Sequence, residues 1–206
     1  MIICCGESLI DFIAMPYGLT YRPCPGGSIL NIAVGLGRMD VPVGLLSRFS
    51  TDMFGDLLAD HLNKNNVNLD FCPCVNGQTT LAFVNLPEKT AQETQFAFYA
   101  TSVVDRNLTK DDLSDQFGEE IVALGFGSIS LILEPGATAL EALMKRESRH
   151  RVLTLDLNVR PAVVSSTEKY RQKFSEWVSL IDILRLSQVD MEYLYPYKNI
   201  EELLPE

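Results

Sequence analysis

The chain is poor in the residues that build metal and nucleic-acid sites. Its 206 residues include only two histidines, His61 and His150, and one tryptophan, Trp177. The five cysteines, Cys4, Cys5, Cys24, Cys72 and Cys74, are odd in number and form no C-x-x-C pair. Cys72-Pro73-Cys74 with two histidines falls short of the four-ligand set of a structural zinc site. Unpaired thiols suit a reducing compartment, so a cytoplasmic protein is expected. Basic residues are scarce too: 17 Lys and Arg against 27 Asp and Glu leave a net charge of −10. That balance argues against nucleic acid or an anionic membrane as the main partner, since both ask for basic patches. No apolar run approaches membrane-spanning length. Residues 1–5 are too short for a signal-peptide core and carry no basic leader. An uncharged sugar is not opposed by this acidity. A nucleotide would need a local basic patch or Mg²⁺ to enter.

What is present suits a packed core. The chain is 47% hydrophobic and 21% charged, as in ordinary folded domains. Its length allows one large domain, or one domain with a small appendage. Ile2–Cys5 reads as a short buried strand. Leu9–Ala14 reads as a second extended piece, with Asp11 among Leu9, Ile10, Phe12 and Ile13. Residues 43–48 form a predicted strand, and Phe54, Leu57, Leu58 and Leu62 mark a helix. Residues 79–87 and 94–99 flank the polar turn 88–92 as a predicted hairpin. Thr109 followed by Asp111 and Asp112 reads as a helix start. Beyond it, strands at 121–124, Val152–Asp156 and 183–186 alternate with helices at 137–144, along the stripe Tyr170, Phe174, Trp177, Val178, Ile181, and at 189–195. This alternation predicts an α/β fold with a doubly wound, mostly parallel sheet. Two β-like segments, about 13–24 and 79–99, interrupt it and predict a small separate β-sheet.

The stretch Pro25-Gly26-Gly27-Ser28-Ile29-Leu30-Asn31-Ile32-Ala33 is the most informative. Ile29, Ile32, Ala33 and Leu36 stripe one helix face. Paired glycines let a backbone approach a ligand closely, and free N–H groups point out of a helix N-terminus. Asn31, one turn in and off the stripe, offers a donor and an acceptor to a hydroxyl. A polyol would suit this arrangement; a plain Gly-Gly turn before an amphipathic helix is the alternative. After that helix, Asp40 stands where a left-handed residue is expected, at a small cost in strain. Asp11, if buried, needs hydrogen bonds; sugar hydroxyls would supply them, and so would a capped turn. Asp156, Asn158 and Arg160 alternate at a strand end, where ligands of open α/β sheets bind. Period two puts them on one side if the strand continues. Arg160 can grip a phosphate or carboxylate with two parallel hydrogen bonds, or form a structural ion pair with the aspartate.

Gly6-Glu7-Ser8-Leu9-Ile10-Asp11-Phe12 lies upstream of the Gly-Gly block. Gly44-Leu45-Leu46-Ser47-Arg48, Ser50-Thr51-Asp52-Met53-Phe54-Gly55-Asp56, Asp156-Leu157-Asn158-Val159-Arg160-Pro161 and Arg185-Leu186-Ser187-Gln188-Val189-Asp190 follow it. In this order and spacing they resemble the ribokinase-like carbohydrate kinases, the PfkB family, and most of all its fructokinase and 2-keto-3-deoxygluconate kinase branch. The likeness runs along essentially the whole chain. The Gly-Gly block and D-x-N-x-R are specific as a set.

The resemblance implies a ribokinase-like domain over 1–206. The small β-sheet becomes a lid over the sugar, often the contact of a homodimer. It implies ATP and Mg²⁺ as cofactors and a small sugar as the other partner. Asp11, Gly26, Gly27 and Asn31 become sugar-binding, with Phe98, Tyr99 and Arg160 beside them. Asn158 and Arg160 are placed near the phosphates or the phosphoryl acceptor. Ser187 and Asp190 stand at the family's N-x-x-E positions, which organise Mg²⁺ and its waters; aspartate there shortens the reach by a methylene. The relatives often carry Arg or Asp near Ala100, and its loss favours a neutral ketose over an acid sugar. The family's G-A-G-D loop, which supplies the anion hole and the base, is absent from 1–206. The chain therefore contains no expected catalytic residue. The reading is the N-terminal two thirds of an ATP-dependent fructokinase-like enzyme, inactive by itself. The alternatives are 2-keto-3-deoxygluconate kinase and a non-catalytic sugar-binding or regulatory relic.

Overall fold

The computed structural model describes residues 1–16, 20–85, 94–114, 116–196 and 198. Among the described residues, twelve strands and five α-helices follow one another. They are β1 (Ile2–Cys5), β2 (Leu9–Ala14), β3 (Tyr21–Gly26), α1 (Ser28–Arg38), β4 (Val43–Leu46), β5 (Phe49–Ser50), α2 (Met53–Asn63), β6 (Val67–Phe71), β7 (Cys74–Val75), β8 (Thr80–Asn85), β9 (Gln95–Tyr99), β10 (Ala123–Gly127), α3 (Gly136–Glu147), β11 (Val152–Asp156), α4 (Thr167–Val178), β12 (Ile183–Arg185) and α5 (Gln188–Leu194). The main sheet runs β12-β11-β10-β1-β4-β6, with every pairing parallel. A four-stranded mixed sheet runs β3-β2-β8-β9, and β5 pairs with β7.

Two faces of the main sheet bury two cores. Alternation along β1 sends Ile3 and Cys5 one way and Cys4 the other. The first face packs on Leu140, Leu143 and Met144 of α3 and on Tyr170, Phe174 and Trp177 of α4. The second packs on Ile29, Leu30, Ala33 and Val34 of α1 and on Leu58 and Leu62 of α2. Parallel strands covered on both faces read as short apolar runs, as these do. From β1 the chain winds outward in both directions, towards β4 and towards β10, and ligand crevices of such sheets open at that reversal.

Several expectations shift. The predicted strand at 121–124 is displaced to Ala123–Gly127. Gly125 and Gly127 look like turn residues, yet a buried parallel strand accepts them. Thr109 opens only a single 3₁₀ turn, Lys110–Asp112. There Asp112 accepts from the Thr109 amide at 2.7 Å while pairing with Arg48 at 2.7 Å. Leu113 then leaves helical conformation. The small sheet begins at Leu9 and includes Pro25 and Gly26, so it reaches further than 13–24. β6 was not anticipated, although its Val67, Leu69 and Phe71 alternate with Asn68 and Asp70, and neither was the short β5–β7 pair. The predicted hairpin forms, with Leu81 opposite Tyr99 and Asn85 opposite Gln95; its turn at 88–92 lies outside the described residues, as does the end 199–206. Asp40 takes the left-handed conformation, φ 56°. Among the described residues no helix is long and apolar enough to cross a membrane.

Candidate active site

A cavity of about 750 Å³ opens where the small sheet overhangs the carboxyl ends of β1, β10, β11 and β12. Asp11, Gly27, Asn31, Phe98, Asn158 and Arg160 all line it. They come from six places in the chain: β2, the turn into α1, α1 itself, β9 and both ends of a short loop after β11.

The Gly-Gly turn has a steric cause. A Cβ on Gly26 would overlap the Asp11 carboxylate, so Gly26 makes room for Asp11 rather than lining the cavity. Gly27 sits at φ 105°, a region that favours glycine, and precedes the first turn of α1. Asp11 is half-buried. Burial lifts its carboxyl above the usual range, and the nearby Arg160 charge opposes the lift. Among the described residues neither the Asp11 carboxylate nor the Asn31 amide has a hydrogen-bond partner. Both therefore present unused polar groups to the cavity.

The loop after β11 places its side chains by alternation even though the strand stops at Asp156. Leu157 and Val159 are buried in the first core. Asp156, Asn158 and Arg160 face the cavity instead, with Asn158 left-handed at φ 39°. The structural ion pair is not the one weighed from sequence. Asp156 pairs with Arg185 of β12 at 2.7 Å, and its other oxygen is buried without a partner among the described residues. Arg160 reaches the small sheet and lies over the Phe96 ring, 5.4 Å from its centroid.

Besides Gly26, three more predicted site residues stand outside the cavity wall. Tyr99 is on the opposite face of the small sheet, edge-on to Phe83 at 5.5 Å. Period two explains this: Phe96 and Phe98 face inward and Tyr99 outward. Ser187 and Asp190 form a capping box that opens α5. Asp190 is buried, and its two oxygens accept from the Val159 amide at 2.7 Å and from the Ser187 amide and hydroxyl at 2.8 and 2.7 Å. A carboxylate so committed does not fit a magnesium ligand. Among the described residues no group of three or more His, Cys, Asp and Glu is disposed to hold a metal. Asp190 instead fastens the loop that carries Asn158 and Arg160.

Glu7 was missed. Its Oε1 accepts from the Ser28 amide at 2.9 Å and the Ile29 amide at 3.5 Å. The N–H groups at the start of α1 are thus partly spent on Glu7 rather than free for an anion. Thr154, Ser128 and Arg185 also line the cavity without having stood out. Gly6-Glu7 preceding Asp11 was the available signal for Glu7, but nothing local says where its carboxylate goes.

The fold is that of ribokinase-like sugar kinases. A sugar kinase from Pyrococcus horikoshii, crystallised with ATP, superposes with a TM-score of 0.87 at 28% identity over 95% of this chain and 66% of that one. A Vibrio cholerae fructokinase crystallised with fructose, ADP and calcium gives 0.82 at 25% identity, covering 98% of this chain and 64% of that one. The chain belongs to the pfkB family of carbohydrate kinases, whose family model matches residues 1–205. A fructokinase from Rhizobium leguminosarum bv. trifolii is 35% identical over 196 residues, 94% of this chain. The chain spans 59% of the length of that relative.

Proposed function

We propose that the protein carrying this chain is an ATP-dependent sugar kinase whose acceptor is fructose. One observation carries the reading: the unpartnered Asp11 carboxylate and Asn31 amide share one cavity beside Gly27. Asp11 would accept from two hydroxyls while Asn31 donates and accepts. Arg160 and Asn158 would lie towards the transferred phosphoryl. The small sheet would act as a lid, its Phe96 and Phe98 excluding water from the sugar. Mg²⁺ would enter with the nucleotide and offset phosphate charge. The base and anion hole are assigned to residues other than these 206, since no G-A-G-D string occurs here. The lid's outer face, with Tyr21 and Tyr99 exposed around Phe83, is assigned to a homodimer contact. Five free thiols suit the cytoplasmic setting.

2-Keto-3-deoxygluconate is the second reading, favoured by the two guanidinium groups of Arg160 and Arg185 at the cavity. Arg185, however, is already paired with Asp156, and Ala100 contributes no charge. An acid sugar would have to bury its carboxylate against Arg160 alone. Coupled-assay kinetics of the full-length protein on both sugars decide the matter. Higher kcat/KM for fructose is expected; a tenfold preference for the acid sugar would install the second reading. The 206 residues alone are expected to release no ADP.

A further inference from the structure

Glu7 leaves β1 at Gly6 and turns in beneath α1. Gly6 is tightly boxed, since a Cβ there would overlap Ser130 Oγ and Ile29. Gly27, the residue before α1, has no side chain with which to cap the helix. Glu7 supplies that cap from twenty residues away, through Oε1 to Ser28 and Ile29. It also packs on Gly27: a Cβ there would come within 3.0 Å of the Glu7 carbonyl and 3.2 Å of its Cγ. Glu7 is 3% exposed, and its Oε2 is buried with no hydrogen-bond partner among the described residues. The side chain lines the large cavity on one side. On the other it lines a water-sized cavity of about 10 Å³ shared with Asp105, Arg106 and Ser130.

We propose that Glu7 is a positioning residue whose ionised carboxylate holds Gly27 and the first turn of α1 in the conformation that binds the sugar, so that protonation of Glu7 weakens sugar binding. The sugar half of this inference rests on the polyol reading above.

The charge has a physical reason to be labile. Burial lifts the Glu7 carboxyl from 4.5 to about 7, against the backbone amides that favour the ionised form. The positive end of α1 stabilises the carboxylate and not the acid. A protonated Glu7 is the weaker acceptor, so the cap loosens as the proton binds. The other titratable or charged groups facing this region are Asp105 and Arg106 across the small cavity, and Asp11, Asp156, Arg160 and Arg185 across the large one. The first turn of α1 carries no acid. Asp105 is raised as well, to about 6, by burial, against hydrogen bonds from the Thr80 hydroxyl and the Arg106, Asp105 and Ser8 backbone amides.

The test follows the backbone amides of Ser28 and Ile29 by NMR between pH 5.5 and 8.5, and measures D-fructose affinity by calorimetry at pH 6 and 8. The full-length parent is compared with Glu7→Gln and with Asp105→Asn. In the parent both amides should titrate with a midpoint near 7, and fructose should bind about tenfold more weakly at pH 6 than at pH 8 if only the ionised form is competent. Glu7→Gln should abolish the amide titration and flatten the pH dependence of affinity; Asp105→Asn should leave both. Glu7→Gln retaining the parental pH slope overturns the proposal, and so does a parent whose amides do not titrate near 7, a result that needs no variant to fold. A parent that shows the amide titration but takes no fructose refutes the fructokinase reading, while its amides still support the capping role of Glu7.

Discussion

Replacing Asp11 with alanine separates binding from folding. If the carboxylate accepts from two sugar hydroxyls, its removal deletes two charge-assisted hydrogen bonds and leaves their donors unpaired. Each such bond contributes about 1.5–3 kcal/mol. Asp11 is only half-buried, so water compensates part of the loss, and a total of about 2–4 kcal/mol is expected. That corresponds to roughly thirtyfold to a thousandfold weaker binding. The free protein should respond in the opposite sense. Burial raises the Asp11 carboxyl in the folded state, so its ionisation at neutral pH costs folding free energy rather than adding to it. Removing it should leave the thermal melt of the free protein unchanged or raise it, the usual exchange of stability for function. Fructose is titrated by calorimetry into the full-length parent and variant beside their melts. An intact melt with an unchanged dissociation constant would refute the assignment of Asp11 to the sugar.

Other outcomes test the surrounding design. Gly26→Ala should weaken fructose binding more than tenfold by displacing the Asp11 carboxylate, whereas Gly35→Ala, with nothing within 4 Å of its new Cβ inside α1, should stabilise the protein by up to about 1 kcal/mol; equal effects on affinity would contradict the steric argument. Asp190→Ala should cost about 3 kcal/mol, seen as a melting point lower by several degrees, because it strips the cap from α5 and frees the Val159 amide; lost turnover with an unaltered melt would restore Asp190 to the magnesium role. Stability should peak near roughly pH 5. Glu7 and Asp105 have folded-state values raised to about 7 and about 6, so the stability linked to them is complete below their ordinary values and is lost as pH rises through that window. Asp52, Asp112 and Glu134 are lowered by hydrogen bonds, and their contribution is lost as pH falls below the ordinary carboxylate range. A melting temperature that climbs steadily from pH 5 to 8 would contradict this balance.

Much of the architecture was legible in the chain because it is local. The run Ile2–Cys5, the stripe Ile29, Ala33 and the pair Phe174, Trp177 each declare which side of an element must leave water, and the alternation of periods declares a wound parallel sheet. The Gly-Gly turn and Asp40 are likewise backbone statements, set by the steric freedom of one or two residues. The least legible elements were β10 and β6. Burial by neighbouring strands and helices outweighs the glycines of the first, whereas the second is an edge strand whose Asp70 stays exposed.

By itself the sequence determined most of the longer strands and helices and their order, the family, and a set of polar residues at loop positions. Only the tertiary structure decided what each polar residue faces. Asp190 was legible as a polar residue at a helix start, but that its oxygens are spent on Val159 and Ser187 required the two segments to meet. Arg160 was legible as an anion grip, but it lies over Phe96 of the small sheet, while Asp156 takes Arg185 from the neighbouring strand. Glu7 was silent in the pattern and proved to be the cap of α1. The physical reason is common to all of them. Periodicity reports the face an element turns from water, a property of consecutive residues. A buried charge is governed by partners tens of residues away, which only the packing of strand ends around one crevice brings within hydrogen-bond reach.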